Sequence, residues 1–258
     1  MFISTSRAGE ALIPIAIKFS SEIGVPLLER KGQPLPSEVP VLVVEKTGLA
    51  LSYGVPRSVQ RWHPGFLKNR CKQWRTEPLF RAIWSIYCGN LLPININECR
   101  EALKDVYVID GTLGLGHDSL FLAWLGVQVK AYESYPLIYL FSREGMRQFS
   151  PKLCQRITFH FADSRSLIYP TDQSQPLIYI DPMFSREMKS MNLAMQRSLL
   201  GQQKLTSQMI VNFASISTRG VLYKRPSKTR PISLPTCFIT KDFASNRVII
   251  SHSYKSSQ

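Results

Sequence analysis

The sequence predicts an α/β protein in which helices flank a largely parallel sheet and a smaller lobe precedes it. Three observations carry this prediction. An apolar run at residues 106–109 ends in Asp110 and passes directly into a glycine-rich turn. A helical pattern follows, and the next apolar run ends at Glu133. Two later apolar runs end at Asp163 and Asp181, which is the alternation typical of βα units.

The first 56 residues predict a small α+β lobe. A helix is expected over residues 6–23, because Gly24 supplies a stop signal. The runs 41–45 and 49–53 are expected to pair as a β-hairpin across Lys46-Thr47-Gly48. Three regions follow from this division: the lobe at 1–56, a basic and aromatic helical connector at 57–104, and the main domain at 105–258.

The connector begins with the most basic part of the chain, Arg57 to Arg81, where seven Lys or Arg face one acid, Glu77. Trp62, His63, Phe66 and Trp74 are interleaved with them. Cations can follow a phosphate backbone while flat rings stack on bases, so the segment favours nucleic-acid binding. The alternative is a solvated helical face with core aromatics. The predicted contacts here are Arg57, Arg61, Lys68, Arg70, Lys72 and Arg75. An apolar helix is expected next, at 78–87.

Composition supports a polyanionic partner. The 258 residues carry a formal net charge of +14, for which nucleic acid is the commonest reason. An anionic membrane surface is the competing explanation, but no apolar run could span a bilayer. Five scattered cysteines without a CxxC pair predict free thiols in a reducing compartment, and no metal is expected. No secretory signal is convincing, so a cytoplasmic monomer is expected; a transit peptide is the alternative.

The first strand and its turn predict a cofactor site. Glycines at 111, 114 and 116 allow the backbone to bend sharply and approach a ligand where a Cβ would collide. A carboxylate at the end of the second strand can accept both hydroxyls of a ribose, which indicates an adenosine-containing cofactor. The alternatives are a tight connection with an exposed acid at 133, and an acid at 163 that caps the following residues instead of accepting an adenine amine. The predicted cofactor-binding residues are Asp110, Gly111, Thr112, Gly114, Gly116, His117, Asp118, Glu133, Ser134, Asp163 and Asp181.

The fourth strand predicts the acceptor site. The apolar run 177–180 is followed by Asp181-Pro182-Met183-Phe184. Pro182 fixes its own φ angle and removes a backbone donor, so carbonyls project from this strand end. Carboxylate and carbonyl oxygens can accept from an exocyclic amine while the Phe184 ring stacks on the base. Asp181, Pro182 and Phe184 are therefore the predicted catalytic residues, although Asp-Pro after a strand is also common in ordinary turns.

The remaining pattern completes the sheet. Helices are expected at 187–201 and 207–216, a fifth strand at 220–226, and a final hairpin from 237–240 and 248–251. A parallel sheet closed by such a hairpin is typical of the Rossmann-like class I methyltransferases that depend on S-adenosyl-L-methionine (AdoMet). An NAD dehydrogenase, the rival interpretation, would continue with further βα units.

With both strand-end motifs in hand, the chain resembles the ribosomal RNA small subunit methyltransferase J family, which methylates a guanine N2 of 16S rRNA. The matching pieces are the motif at 110–116 with Asp118, the Glu133 strand end, Asp181-Pro182-Met183-Phe184 with Lys189-Ser190, and Lys224-Arg225-Pro226. The chain departs from the family pattern at His117, at Ser185 and after Ser190.

The resemblance implies AdoMet at the first motif, a base site at Asp181, and small-subunit rRNA or an assembled small subunit as partner. It adds Lys189, Lys224 and Arg225 to the expected RNA contacts. Two other functions stay open: an RNA-binding assembly factor that kept the fold without the chemistry, and an amino-methyltransferase acting on another nucleic acid.

Overall fold

Two β-sheets organise the chain. The computed structural model describes residues 1–6, 10–31, 33–54, 58–65, 67–166, 177–181, 206–230, 232–245 and 248–256. The N-terminal sheet has the order β1-β2-β3-β4, and its strands are β1 (Phe2–Thr5), β2 (Val41–Glu45), β3 (Gly48–Tyr53) and β4 (Ser58–Arg61). The larger sheet has the order β10-β11-β9-β8-β5-β6-β7. Its strands are β5 (Tyr107–Asp110), β6 (Gln128–Glu133), β7 (Ile157–Phe161), β8 (Leu177–Ile180), β9 (Val221–Pro226), β10 (Phe238–Ala244) and β11 (Val248–Lys255).

The described helices lie before and between these strands. They are α1 (Ile13–Ile23), α2 (Leu67–Lys72), α3 (Pro78–Tyr87), α4 (Ile96–Leu103), α5 (His117–Trp124), α6 (Pro136–Phe149), α7 (Pro151–Cys154) and α8 (Ser207–Ser215). Short 3₁₀ turns occur at Glu10–Leu12, Trp74–Thr76 and Ser164–Ser166. Within the described ranges, no helix is both long and apolar enough to traverse a bilayer.

The N-terminal lobe differs from the prediction in two places. The helix expected over residues 6–23 begins at Ile13, and β1 precedes it, pairing in parallel with β2. Residues 58–61 form β4 on the edge of this sheet instead of a helical connector. Both strands are only four residues long, too short for their alternation to stand out in the sequence. The predicted hairpin is confirmed as β2 and β3, and Gly24 ends α1 with φ +65°.

The larger sheet confirms the predicted α/β fold. Strands β5 to β9 pair in parallel, β11 runs antiparallel to β9, and β10 forms the closing hairpin with β11. The hairpin strands are longer than predicted, since β10 continues to Ala244 and β11 to Lys255. The helix expected at 187–201 lies outside the described residues.

The strand order determines where the predicted site residues meet. Strand β5 lies between β6 and β8, and β9 follows β8, so the carboxyl ends of four parallel strands share one edge. In the β8–β9 register Ile180 is opposite Tyr223, which brings the next residues, Asp181 and Lys224, level with each other. Ligands of open α/β sheets bind at such an edge, where the strand order reverses.

The core holds this edge in shape from both faces. Val108 of β5 packs with α3, α4 and α5, whereas its neighbour Ile109 packs with α8 on the opposite face. A third cluster joins α1 and the N-terminal sheet to α6, through Leu42, Leu51 and Phe141 among others. The lobe is therefore packed directly on a helix of the main domain. Burial of each such side chain contributes about 1.5–3 kcal/mol to the stability of the folded protein.

Candidate active site

The turn between β5 and α5 contacts both strands beside it. Gly111 N donates to Tyr179 O at 2.9 Å, and Leu113 N donates to Tyr132 O at 2.9 Å. Gly114 and Gly116 have φ angles of +51° and +75°, which L side chains rarely adopt. A Cβ on Gly116 would lie 2.0 Å from Met146 Sδ, whereas a Cβ on Gly114 would meet, among the described residues, only Thr112 O, at 3.7 Å. Within the described part of the chain, the backbone at Gly114 therefore leaves room for a ligand to approach.

Asp110 shapes this turn from inside the protein. Its side chain is buried, and its two oxygens accept from Thr112 N at 3.0 Å and from Ser119 Oγ at 2.6 Å. Burial raises the pKa of Asp110 to about 7, although both hydrogen bonds oppose the shift. The carboxyl group predicted to bind cofactor thus holds the turn and the first residues of α5 together.

Glu133 is placed to receive hydroxyl donors. Its side chain is 8% exposed, and its oxygens accept one backbone N–H each, from Tyr135 at 2.8 Å and from Gly114 at 3.1 Å. Burial raises the pKa of Glu133, and these backbone bonds oppose the rise. Because the two carboxylate oxygens together have four lone pairs, the group keeps the capacity to accept a further donor. Ser134 follows on the exposed side.

Asp163 is occupied by its own chain. Its oxygens accept from the Arg165 backbone N at 2.9 Å and from the Arg165 guanidinium at distances from 2.6 Å. The Arg165 hydrogen bond lowers the pKa of Asp163. The residue directly precedes the 3₁₀ turn Ser164–Ser166 and caps it by accepting from Arg165 N, as in the alternative interpretation of this acid.

The β5–α5 turn also holds the end of β8. Asp181 N donates to Thr112 Oγ1 at 2.6 Å. The same turn therefore binds Glu133 through Gly114 and binds the Asp181 backbone through Thr112. The turn therefore lies between the end of β6 and the end of β8.

A cluster of charged side chains surrounds Asp181. Lys224 Nζ lies 2.5 Å from Asp181 Oδ2 and 3.0 Å from Asp118 Oδ2. Asp118 also accepts from Tyr179 Oη at 2.7 Å and pairs with Arg70 at 2.5 Å. Partial burial makes an unpaired charge costly, and here each carboxylate of the cluster has a cation beside it.

The members of this cluster titrate differently. Burial raises the pKa of Asp181 to about 6, and Lys224 opposes the shift while Asp118 adds to it. Burial also acts to raise the pKa of Asp118, but Lys224 and Arg70 outweigh it and leave the pKa below its ordinary value. Burial acts to lower the pKa of Lys224, but the two carboxylates hold it above its ordinary value. Asp181 is therefore the member whose charge changes near neutral pH.

A cleft of about 450 Å³ opens beside the cluster. Asp118, Tyr179 and Lys224 line its inner end, Asn69 and Gln73 of the α2 segment form one wall, and the β10–β11 hairpin forms another. This volume is in the range of small-molecule sites. The predicted catalytic residues included neither Tyr179 of β8 nor Lys224 of β9. Tyr179, two residues before Asp181, shares its side of β8, a signal that the period-2 alternation of strands could have supplied.

The segment after β4 covers the turn from the N-terminal side. Trp62 Nε1 donates to Leu115 O at 2.9 Å, and His117 Nε2 lies 2.8 Å from His63 O. Trp62 also packs so closely on α6 that a Cβ on Gly145 would lie 2.2 Å from its ring. Burial lowers the pKa of His117. Trp74 is buried in the core, so it follows the alternative interpretation as a core aromatic, whereas Trp62 is partly buried and packs against the core.

Three predicted RNA contacts point into the protein. Arg70 pairs with Asp118 and Glu77 and lies 4.3 Å from the Phe121 ring centroid. Lys224 belongs to the cluster described above. Arg225 is 5% exposed, donates to Ser251 Oγ at 2.9 Å and pairs with Asp242. Their charge is paired with acids of the same chain, so the prediction of a free surface role is corrected.

Four other predicted RNA contacts are exposed: Arg61, Lys68, Lys72 and Arg75. Arg61 pairs with Glu45 at the surface, and Arg75 lies against the Trp74 ring and the Pro93 carbonyl. The predicted residues Arg57, Pro182, Phe184 and Lys189, together with Phe66, Met183, Ser185 and Ser190, lie outside the described residues.

Comparison with known proteins gives a consistent family. The model of the family described as "Putative SAM-dependent methyltransferase" matches residues 97–250, more than half of the chain. The Ribosomal RNA small subunit methyltransferase J of Acinetobacter baumannii strain ATCC 17978 is 36% identical over 176 residues, which are 65% of this chain and 55% of that protein. The protein of the same name from Yersinia pestis strain Pestoides F is 28% identical over 136 residues, which are 49% and 53%. The chain spans about half the length of these curated relatives.

One solved structure resembles nearly the whole chain. The crystal structure of a SAM-dependent methyltransferase from Neisseria gonorrhoeae covers 99% of this chain and 96% of its own, with a TM-score of 0.61 and 20% sequence identity. At that identity the likeness shows the fold alone. The predicted class I methyltransferase fold is confirmed.

Proposed function

The chain belongs to the family of SAM-dependent methyltransferases, and we propose that it transfers a methyl group from AdoMet to the exocyclic N2 of a guanine in small-subunit ribosomal RNA. The observation that carries the proposal is the turn that binds both strand ends, through Gly114 to Glu133 and through Thr112 to Asp181. One short turn would thereby fix the separation of the proposed donor and acceptor sites. Holding both reactants in one geometry can account for much of an enzymatic rate enhancement.

The donor site is proposed over the open side of Gly114. The ribose hydroxyls of AdoMet would donate to Glu133, whose oxygens retain lone pairs after accepting from the backbone. Asp110 acts indirectly by holding the turn, and Ser134, Gly111 and His117 stay predicted neighbours of the cofactor. Asp163 is left out of the proposed contacts, because Arg165 occupies its carboxylate.

The acceptor site is proposed at Asp181. Bound AdoMet supplies an electrophilic methyl group on a sulfonium sulfur. The guanine amine forms the new N–C bond as the C–S bond breaks, sulfur keeps that electron pair, and the surplus proton on nitrogen leaves through Asp181 to water. By accepting from the amine, an ionised Asp181 favours the positive charge that develops on nitrogen. The Pro182 carbonyl and the Phe184 ring stay predicted partners of the base.

RNA as the acceptor is supported by charge and by the relatives. Lys68 and Lys72 are exposed on α2, the helix whose Asn69 lines the cleft. A strand whose phosphates follow these cations could extend a displaced base into the cleft. The curated relatives carry the name of a small-subunit rRNA methyltransferase. This substrate implies a cytoplasmic protein.

Methyl transfer from labelled AdoMet tests the proposal. The acceptors are unmodified 16S rRNA, assembled small subunits lacking the modification, and DNA of the rRNA sequence, with the labelled nucleoside identified by mass spectrometry. We expect N2-methylguanine in one of the two RNA substrates. The Asp181→Ala variant should lose this activity and still bind AdoMet, whereas the matched Asp105→Ala change, at an exposed site before β5, should have no effect. Equal labelling of DNA, or wild-type rates in Asp181→Ala, would contradict the proposal.

A further inference from the structure

Lys224 occupies a place that its sequence context does not suggest. It lies in β9 one residue after Tyr223, which is opposite Ile180 in the β8 register. The lysine side chain is 24% exposed, and its ammonium is within 3.0 Å of two carboxylate oxygens, on Asp118 and Asp181. A cation committed to two partly buried acids is poorly suited to follow an RNA backbone.

Lys224 is held by Asp118 as well as by Asp181. Asp118, its other partner, accepts from Tyr179 Oη and pairs with Arg70. Arg70 is in turn paired with Glu77 at 2.7 Å. Because Asp118 is bound on three sides, Lys224 is anchored at a defined distance from the end of β8.

On the footing of the methyl-transfer function proposed above, we propose that Lys224 is a positioning residue that keeps the Asp181 carboxylate ionised and oriented toward the acceptor amine. It acts through Asp181 and contacts neither the methyl donor nor the reacting nitrogen. Because the ammonium takes one lone pair of Oδ2, the Asp181 carboxylate keeps acceptor capacity for the amine.

The charges around Asp181 make this role necessary. Asp118, Asp110 and the Tyr179 hydroxyl face it from α5, β5 and β8, and Lys224 faces it from β9. Among the described residues, Lys224 is the cation that contacts Asp181, since Arg70 contacts Asp118. Without the ammonium, Asp181 would share a poorly solvated site with other acids, and two close carboxylates resist being ionised together. A protonated Asp181 could not accept the proton of the amine.

The direction of the pH effect follows from these charges. Burial raises the pKa of Asp181 to about 6, and Lys224 limits that rise. Activity that requires ionised Asp181 should therefore increase with pH through about 6 and then level off. Removing the lysine charge should move this acidic limb to higher pH. Removing the Asp118 charge should move it to lower pH, because Asp118 raises the pKa of Asp181.

The experiment measures kcat against pH for wild type, Lys224→Met and Lys224→Arg, with Lys228→Met as the matched control. Lys228 is an exposed lysine just after β9, so its replacement removes the same charge outside the cluster. AdoMet dissociation constants are measured on the same proteins by calorimetry. We expect the midpoint of the acidic limb of kcat to rise by about one pH unit or more in Lys224→Met. The kcat of the variant should therefore be about fivefold or more below that of wild type at pH 6 and nearly equal to it at pH 9. AdoMet affinity should change by less than about threefold, and Lys224→Arg should restore the midpoint in part.

An unshifted midpoint in Lys224→Met would overturn the inference even if activity fell, because a purely structural role lowers kcat equally at every pH. A midpoint that moves equally in Lys228→Met would also overturn it. If Lys224→Met does not fold, Asp118→Asn decides: a midpoint lower than that of wild type supports the coupling, and an unchanged midpoint refutes it. Failure of the proposed function is distinguishable, since wild type would then methylate none of the RNA substrates.

Discussion

Replacing Glu133 with glutamine tests the donor site directly. The carboxylate accepts from Tyr135 N at 2.8 Å and from Gly114 N at 3.1 Å, one bond to each oxygen. An amide has a single oxygen, so its NH2 group would face one of these two donors and could not accept a ribose hydroxyl. Because burial already raises the pKa of Glu133, a neutral amide avoids that desolvation cost, and we expect the variant to fold.

The expected loss of affinity follows from the hydrogen bonds at stake. A hydrogen bond to a charged group contributes about 1.5–3 kcal/mol. Because about 1.4 kcal/mol corresponds to a factor of ten, loss of one ribose bond should raise the AdoMet dissociation constant about 10- to 150-fold in Glu133→Gln. The matched change Glu101→Gln, at an exposed position in α4, should leave the constant unaltered.

A double-mutant cycle separates the ribose contact from general damage. Calorimetry compares S-adenosylhomocysteine with its 2′-deoxy and 3′-deoxy analogues in wild type and in Glu133→Gln. Wild type should lose about tenfold or more in affinity for at least one analogue, whereas the variant should discriminate less than about threefold. If the variant distinguishes the analogues as strongly as wild type does, Glu133 does not bind the ribose, and its role is limited to holding Gly114.

Three further predictions concern the turn. Thr112→Val removes the acceptor for Asp181 N, so it should lower the unfolding free energy in urea titrations by about 1–3 kcal/mol and abolish most methyl transfer. Thr112→Ser keeps the hydroxyl and should retain both stability and activity. Equal behaviour of the two variants would contradict a role for this hydrogen bond. Gly116→Ala should lower the unfolding free energy by about 1–3 kcal/mol more than Gly24→Ala does. Both glycines have a positive φ, but a Cβ at Gly116 would clash with Met146, whereas a Cβ at Gly24 would have no neighbour within 4 Å among the described residues. Equal losses of stability in the two variants would exclude the clash. Because the folded pKa of Asp110 is raised to about 7, its contribution to stability is full below the ordinary value of 3.8 and disappears as pH rises through 7. Unfolding free energies measured from pH 4 to 8 should fall by up to about 4 kcal/mol more in wild type than in Asp110→Asn, and parallel curves would refute the shift.

Local patterns carried the prediction of the main sheet and of the strand ends. Continuous apolar runs are typical of buried parallel strands. Because each of these runs ends at an acid, Asp110, Glu133 and Asp181 could be assigned to one edge of the sheet. The short edge strand β4 escaped this reasoning, because four residues with one buried side chain leave no clear period.

The positions and partners of the charged and aromatic side chains could not be predicted from local sequence patterns. Arg70, Lys224 and Arg225 lie in basic stretches, and each is nevertheless paired with an acid distant in sequence. Trp62, in a segment predicted to stack on bases, instead fills a notch above Gly145 of α6.

The sequence by itself determined the α/β architecture, the glycine turn and the acids at the strand ends, because strand burial and turn geometry depend on near neighbours along the chain. Only the tertiary structure decided that Thr112 binds the Asp181 backbone at the end of β8 and that Lys224 lies between Asp118 and Asp181. The physical reason is that the partner of a polar group depends on which strands pair and in what register, and that register brings together residues more than 40 positions apart.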